Sequence, residues 1–405
     1  MKIILASVGT DGDVRPIISL GKSLQARGHE IIICAPPNYD TLVARHCLKF
    51  YPIGLDIKNI LTKNAKDFIG HTIKSIRKLK EMSEEVLSLQ ISSLMYTCKD
   101  ADYLFASGNL VVGRTVADYY GIPYHHIFHI PQMLYSKYHP PVIVPWQRLP
   151  KLINLLFWRM TFFMFNMLWL KMLNRHRQKM GLDKIEDIYS YCFNKVIIAA
   201  DSNLAFIPDD VKVDYVQTGY WYLEDDSELD HDLENFISLG TPPVYIGFGS
   251  MTNPSMQRMN RILNDAVYKS GLRFVISKGW AGLGLQSESS NVMVVNNVSH
   301  SKLFPKMSAI VHHGGAGTTL TAARAGKPQI IVPHMIDQYY WGERVCQLKL
   351  GPRPIKHSML NGQCFTTILK ETLNDKNIEQ CTAELRDVLI KREDGVKEFI
   401  KKFSF

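Results

Sequence analysis

Two glycine-rich turns stand where a strand pattern gives way to a helix pattern, and both carry side chains suited to chemistry on a phosphorylated substrate. The later turn runs His312-His313-Gly314-Gly315-Ala316-Gly317-Thr318-Thr319, after the apolar run Ala309-Ile310-Val311 and before Leu320-Thr321-Ala322-Ala323. A turn of this kind presents unpaired N–H groups at the positive end of a helix dipole, and its glycines leave room for a phosphate. It fits either an anion site or a turn that serves only close helix–sheet packing. The two His and two Thr around the glycines favour the anion site, with His313 as a donor to a phosphate oxygen.

The earlier turn, Gly9-Thr10-Asp11-Gly12-Asp13, lies between the run 2–8 and a helix from Val14 that carries Pro16 in its first turn. Asp13 is expected near the N-cap. There it either caps the helix or faces a cleft as a general base. The helix N-terminus keeps such a carboxylate ionised, and desolvation by a bound acceptor raises its basicity.

Further along, Val332-Pro333-His334-Met335-Ile336-Asp337-Gln338 follows a strand pattern and precedes the aromatic run Tyr339-Tyr340-Trp341. An adjacent Asp and Gln at a strand's carboxyl end suit the vicinal hydroxyls of a sugar. Trp280 is placed either to stack on a base or simply to pack. Neither glycine turn is the GxGxxG of a dinucleotide site, and there is no GxxxxGK[ST] loop, so hydride transfer and ATP hydrolysis are disfavoured.

The elements that must hold these residues are alternating strands and helices. Residues 2–8 and 30–35 read as strands around a helix at 14–28. Residues 103–106 and 124–128 repeat the pattern around a helix near 111–120 that ends at Gly121. After the acidic stretch 225–243, fresh strands are expected at 244–248, 272–277, 292–295, 308–312 and 329–333, followed by helices from about 365 to 402. With 405 residues, the chain is long enough for two doubly wound sheets that face each other, with the site outside the carboxyl ends of their strands. The expected division is residues 1–220, a linker at 221–242, a second unit at 243–385, and a terminal helix at 386–405 that packs back on the first unit.

The net charge of +9 is unevenly placed. Between Asp118 and Asp183 there is no acidic residue, whereas Lys137, Arg148, Lys151, Arg159, Lys171, Arg175, Arg177 and Lys179 are present. No nucleic-acid motif accompanies them, so an anionic membrane or an acidic acceptor outranks nucleic acid as partner. Within this stretch Leu152–Leu173 approaches the apolar length of a membrane span. Three readings stay open: a helix beside an acceptor pocket, a surface that dips into lipid, and a true span. Arg159 and Asn166, on one helical face, argue against the span. Seven scattered cysteines without metal-ligand spacing read as buried free thiols in a reducing cytoplasm, and the short run Ile3–Val8 reads as a first strand and not an export signal.

The segment Val311–Gln338, with its HHGGAGTT, RAGKPQ and PxxxDQ elements, resembles the nucleotide-sugar signature of the UDP-glycosyltransferase family. Within that family it is most similar to bacterial glycopeptide-aglycone glycosyltransferases and sterol glucosyltransferases. Gly9–Pro16, Val216–Gly219 and Pro242–Met251 resemble the family's first loop, interdomain entry and second-domain opening. The resemblance implies the two-Rossmann GT-B fold, with the acceptor on the N-terminal domain and the donor on the C-terminal one. It implies pyrophosphate binding by His313, Gly315, Gly317 and Thr318, with Ala316, His312, Ser250, Thr10 and Gly12 close by. Trp280 and the Val298 backbone would flank the base, and Asp337 and Gln338 would hold the sugar. Asp13 matches the family's catalytic position, whereas Asp11 replaces an Arg common in that loop.

The expected activity is therefore inverting transfer of a hexose, UDP-glucose being the first donor to consider, to a hydroxyl of a hydrophobic natural-product, lipid or sterol-like acceptor. His129, Met133, Tyr138 and His334 are the acceptor-side candidates. No cofactor or metal is expected, and the protein is expected in the cytoplasm or at the inner face of the membrane. A nucleotide-sugar epimerase and a non-catalytic lipid- or partner-binding module are the alternatives.

Overall fold

The computed structural model describes residues 1–54, 73–225, 227–249, 256–279, 289–296, 298–356, 359–392 and 394–405. Ser250 and Trp280 lie outside the described residues. The first sheet is built from β1 (Lys2–Val8), β2 (Glu30–Ala35), β3 (Lys49–Pro52), β4 (Tyr103–Gly108), β5 (Tyr124–Phe128), β6 (Lys195–Ile198) and β7 (Asp214–Gln217), in the order β3-β2-β1-β4-β5-β6-β7. The second sheet is built from β8 (Val244–Gly247), β9 (Phe274–Ser277), β10 (Val292–Val295), β11 (Ala309–His312) and β12 (Gln329–Ile331), in the order β10-β9-β8-β11-β12. All paired strands are parallel. This is the two-Rossmann architecture expected from the sequence. Helices cover both faces of such a sheet, so its central strands are unbroken apolar runs: Ile3 to Ala6 and Ala309 to Val311 are wholly buried.

Strand order reverses between β1 and β4 in the first sheet and between β8 and β11 in the second. Adjacent chain exits diverge to opposite faces at such a point and leave a crevice beyond the carboxyl ends of the strands. The two glycine turns follow β1 and β11, so both switch points carry one.

Six helices frame the site and join the two units: α1 (Asp11–Gln25), α2 (Lys151–Phe165), α3 (Lys171–Lys179), α4 (Ala316–Arg324), α5 (Gln338–Gln347) and α6 (Gly395–Phe403). The two units share one apolar cluster, in which Val111, Phe128 and Leu204 of the first meet Leu320, Ile331 and Trp341 of the second. Polar ties reinforce it: Arg148 Nε donates to Glu343 at 2.8 Å, and Arg344 Nε donates to the Leu204 carbonyl at 2.8 Å. The chain then returns, and α6 buries Val396, Phe399 and Ile400 among Ile3, Leu5 and Ile17 of the first unit.

Two expectations need correction: that the cysteines are all buried, and that Arg159 and Asn166 share one helical face. Only Cys34, Cys98 and Cys192 are buried; Cys47 is exposed and Cys346, Cys364 and Cys381 are half-buried, because the latter four sit on helices or turns near the surface. The apolar segment at 152–173 belongs to a continuous rod from Lys151 to Lys179, with a π-helical turn at Asn166–Leu170. The rod packs one side on the protein through Asn154, Trp158, Thr161, Met172 and Leu173. Asn166 is tied to Asp187 Oδ2 at 2.8 Å and to the Ile188 N–H at 2.9 Å, whereas Arg159 is exposed.

Candidate active site

β1 delivers the first turn to the switch point. The helix begins three residues before the expected Val14, because Asp11, Gly12 and Asp13 already adopt helical geometry; Thr10 is the N-cap and Asp13 is the third helical residue. The Thr10 carbonyl accepts the N–H groups of Asp13 and Val14 at 2.9 and 3.1 Å. In return, Asp13 Oδ2 accepts the Thr10 N–H at 2.9 Å, the carboxylate half of a capping box. A Cβ on Gly9 would lie 2.1 Å from that oxygen, so glycine is required for the carboxylate to fold back. Burial pushes Asp13 up to about 6 against the pull of its Thr10 hydrogen bonds. Desolvation thus outweighs the helix terminus.

The second turn leaves its donors open. Gly315 is the N-cap of α4 and has no side chain to cap with, and the first intrahelical bond is Thr319 N–H to the Gly315 carbonyl at 3.0 Å. The N–H groups of Ala316, Gly317 and Thr318 therefore have no partner within the helix. The Thr319 hydroxyl is spent on the Gly315 carbonyl at 2.9 Å. Thr318 is half-buried, and nothing among the described residues claims its hydroxyl.

The two histidines of this turn differ. His312 is wholly buried; its Nδ1 accepts the Gly314 N–H at 3.1 Å, so its proton sits on Nε2, which donates to Gln329 Oε1 at 3.0 Å. Both nitrogens are used, so His312 shapes the turn from beneath, through Gly314 and Gln329. His313 is half-buried, and its buried Nδ1 has no hydrogen-bond partner among the described residues. Its ring lies between two glycines: a Cβ on Gly249 would come within 3.3 Å of Cε1, and one on Gly315 within 2.5 Å of Nε2. Burial, then the nearby His312, His334 and His300, push His313 down to about 3, so it is neutral near pH 7.

Asp337 is the N-cap of α5, after Ile336, a β-branched residue held at φ +48. Strain of this kind is tolerated where the surrounding structure over-determines it. Gln338 Oε1 accepts the N–H groups of His334 and Met335 at 2.8 and 3.1 Å, so its carbonyl staples its own loop. The loop also touches the phosphate turn, since a Cβ on Gly314 would meet the Gln338 carbonyl oxygen at 2.9 Å. Burial and the facing Asp13 carboxylate push Asp337 up to about 7. Residues at the mouths of different sheets therefore converge.

Tyr220 stands between them and was not anticipated from the sequence. Its ring is buried, a Cβ on Gly317 would lie 2.8 Å from its hydroxyl, and burial and then the Asp13 charge raise its pKa. The only sequence signal was an aromatic run, Tyr220-Trp221-Tyr222, directly after Gly219. His129 is buried beside it, with ring centroids 6.4 Å apart, and burial pushes it down to about 4.

The other expected residues are spread out. Thr10 and Gly12 are exposed in the first turn, and Ala316 is buried at the start of α4. Val298, after β10, packs its side chain against the cluster around Tyr245 and Phe304. His334 lies against the Phe248 ring at 5.5 Å, on the donor side. Met133 gives its carbonyl to the Tyr189 hydroxyl at 2.8 Å. Tyr138 is exposed, with the ammonium groups of Lys137 and Lys151 at 5.2 and 4.6 Å from its ring centre, so it belongs to the outer surface beside α2. Among the described residues there is no group of three His, Cys, Asp or Glu able to hold a metal ion.

Comparison with known proteins agrees with this arrangement. Residues 3–138 match the glycosyltransferase family 28 N-terminal domain, and residues 277–396 match the erythromycin biosynthesis protein CIII-like C-terminal domain. The chain is 33% identical over 357 residues to the vancomycin aglycone glucosyltransferase of Amycolatopsis orientalis, covering 87% of this chain and 85% of that protein. It is 30% identical over 432 residues to a sterol 3-beta-glucosyltransferase of Arabidopsis thaliana, covering 100% of this chain and 68% of that one. Among solved structures, the calicheamicin glycosyltransferase CalG4 superposes with a TM-score of 0.77 at 15% identity, over 100% of this chain and 97% of that one.

Proposed function

The chain belongs to the UDP-glycosyltransferase family that holds the glycopeptide-aglycone glycosyltransferases and the sterol glucosyltransferases, and on that premise we propose that Asp13 and the His313–Thr318 turn carry out an inverting sugar transfer. The donor is a nucleotide diphosphate hexose. UDP-glucose is the first choice, since the vancomycin aglycone and sterol relatives are both glucosyltransferases. The acceptor is a hydroxyl of a hydrophobic natural product or a sterol-like lipid.

The observation that carries this reading is that the two switch points each present a glycine turn, Asp13 held by Thr10 on one and the uncapped α4 terminus on the other, with Tyr220 of the first unit against Gly317 of the second. A carboxylate poised near 6 is well matched to accept a proton around neutral pH. In the transfer, Asp13 takes the proton of the acceptor hydroxyl as its oxygen bonds to the anomeric carbon. The bond from that carbon to the diphosphate oxygen breaks, and its electron pair leaves with the nucleotide. The open N–H groups of residues 316–318, the Thr318 hydroxyl and a His313 N–H meet the charge that builds there. Asp337 accepts from sugar hydroxyls.

The test is incubation with UDP-glucose, UDP-N-acetylglucosamine and dTDP-sugars against a panel of polyketide, glycopeptide and sterol acceptors, following nucleotide release and product mass. A β-glucoside from an α-linked donor supports inversion. Epimerised donor without any product, or no turnover with any pair, counts against the reading.

A further inference from the structure

The rod from Lys151 to Lys179 has a second side that the protein does not cover. Leu152, Leu156, Met160, Phe163 and Met167 recur at steps of three and four, with Ile153, Met164 and Leu168 beside them, and all are exposed. Leu152 is 78% exposed, Phe163 69% and Met167 65%. They stand opposite Asn154, Trp158 and Thr161, which face inward. Trp146, 57% exposed, extends the stripe from the preceding loop, with its ring 6.4 Å from that of Phe157. A contiguous apolar strip of this size is rare on a surface that meets only water.

The charge around the strip identifies what covers it. Lys151, Arg159, Lys171 and Lys179 are exposed, and none is ion-paired among the described residues. The other cations of this region are committed elsewhere: Arg148 to Glu343, Arg175 to Glu84, and the buried Arg177 to Asp118 and Tyr191. No acidic residue interrupts the sequence from 119 to 182. An exposed apolar stripe with an interfacial Trp and unpaired cations at its sides fits the headgroup layer of an anionic bilayer. The rod, ~43 Å long at 1.5 Å per residue, has one side in the protein core, a geometry for lying along a membrane surface and not for crossing one.

We propose that this rod docks the protein flat on an anionic lipid bilayer. The docked face adjoins the site: Arg148, at the foot of α2, grips Glu343 of α5, and α5 begins beside Asp337. An acceptor dissolved in the bilayer thus reaches the cleft from the side on which the protein rests. Docking does not depend on the proposed sugar transfer, so the two stand or fall separately.

The experiment is co-sedimentation of the full chain with vesicles of phosphatidylcholine alone and of phosphatidylcholine with 30% phosphatidylglycerol. Binding to the anionic vesicles is expected, weakening with salt as exposed charges are screened. It is expected to fall at least tenfold in Phe163→Glu/Met167→Glu and several-fold in Arg159→Glu/Lys171→Glu, with UDP binding unchanged. Because the wild-type chain can be read directly, brominated lipid should quench its tryptophan fluorescence, and Trp146→Phe should remove most of that quenching. Wild-type protein that stays in the supernatant, or apolar-face variants that bind equally well, would overturn the proposal. So would a dimer that dissociates on the Phe163→Glu/Met167→Glu change without vesicle binding, since a second copy would then own the face.

Discussion

The two glycine turns are the same construction finished in opposite ways. Each takes a strand from a switch point into a helix N-terminus, where unpaired N–H groups attract negative charge. In the first turn the protein supplies that charge itself, as Asp13 folds back over Gly9 onto the Thr10 N–H. In the second there is no acidic side chain between Ala309 and Asp337, Gly315 has nothing to cap with, and the N–H groups stay open. The carboxylate of the first turn is held in place by the Thr10 N–H, as a proposed base must be. The second turn has no such side chain, which supports its proposed role as the anion site. The contrast supports the separate roles proposed for the turns more sharply than either turn does alone.

The largest effect that can break this contrast is on turnover. Asp13→Asn keeps an oxygen for the Thr10 N–H but cannot take a proton, so the rate of acceptor-dependent nucleotide release is expected to fall by about 10²–10⁴. The wild-type rate should rise with pH through about 6, where Asp13 ionises; a rate flat from pH 5 to 8 would place the base elsewhere. Next comes His313→Ala, which removes one donor to the leaving diphosphate. A loss of about 10²-fold is expected, in line with removal of a single oxyanion donor, and an undiminished rate would leave the backbone N–H groups as the whole site.

The smallest effect is on stability. The carboxyl of Asp337 binds its proton more tightly in the folded protein than in the unfolded chain, so the folded state is favoured at low pH and loses that advantage as pH rises from about 4 to about 7. Asp337→Asn should therefore raise the melting temperature at pH 8 by a few degrees and change it little at pH 4. A variant that melts lower at pH 8 would show that the charge is paired and not strained.

The sheets and both turns were legible because buried parallel strands read as unbroken apolar runs and glycine marks where they stop. Finer assignments depended on which group a polar atom chooses. His312 and Gln338 have the donors and acceptors that a sugar nucleotide needs, but His312 spends both nitrogens on Gly314 and Gln329, and Gln338 gives its carbonyl to its own loop. Arg177 counted as surface charge until its burial against Asp118 was visible. Tyr220 could not be found from spacing at all, because its approach to Gly317 is made only when the two units meet. The exposure of α2 was equally hidden: an apolar helix in sequence is the same whether its outer face meets core, lipid or another chain.

The most direct test of the contrast is UDP binding by titration calorimetry to Asp13→Asn and Gly315→Ala side by side. A Cβ at Gly315 would press on His313 within the open turn, whereas the proposed role of Asp13 is to take the acceptor's proton and not to hold the nucleotide. The expected result is a Kd within twofold of wild type for Asp13→Asn and at least tenfold weaker for Gly315→Ala. Equal weakening in both, or none in Gly315→Ala, would contradict the separation of base and anion site between the two turns.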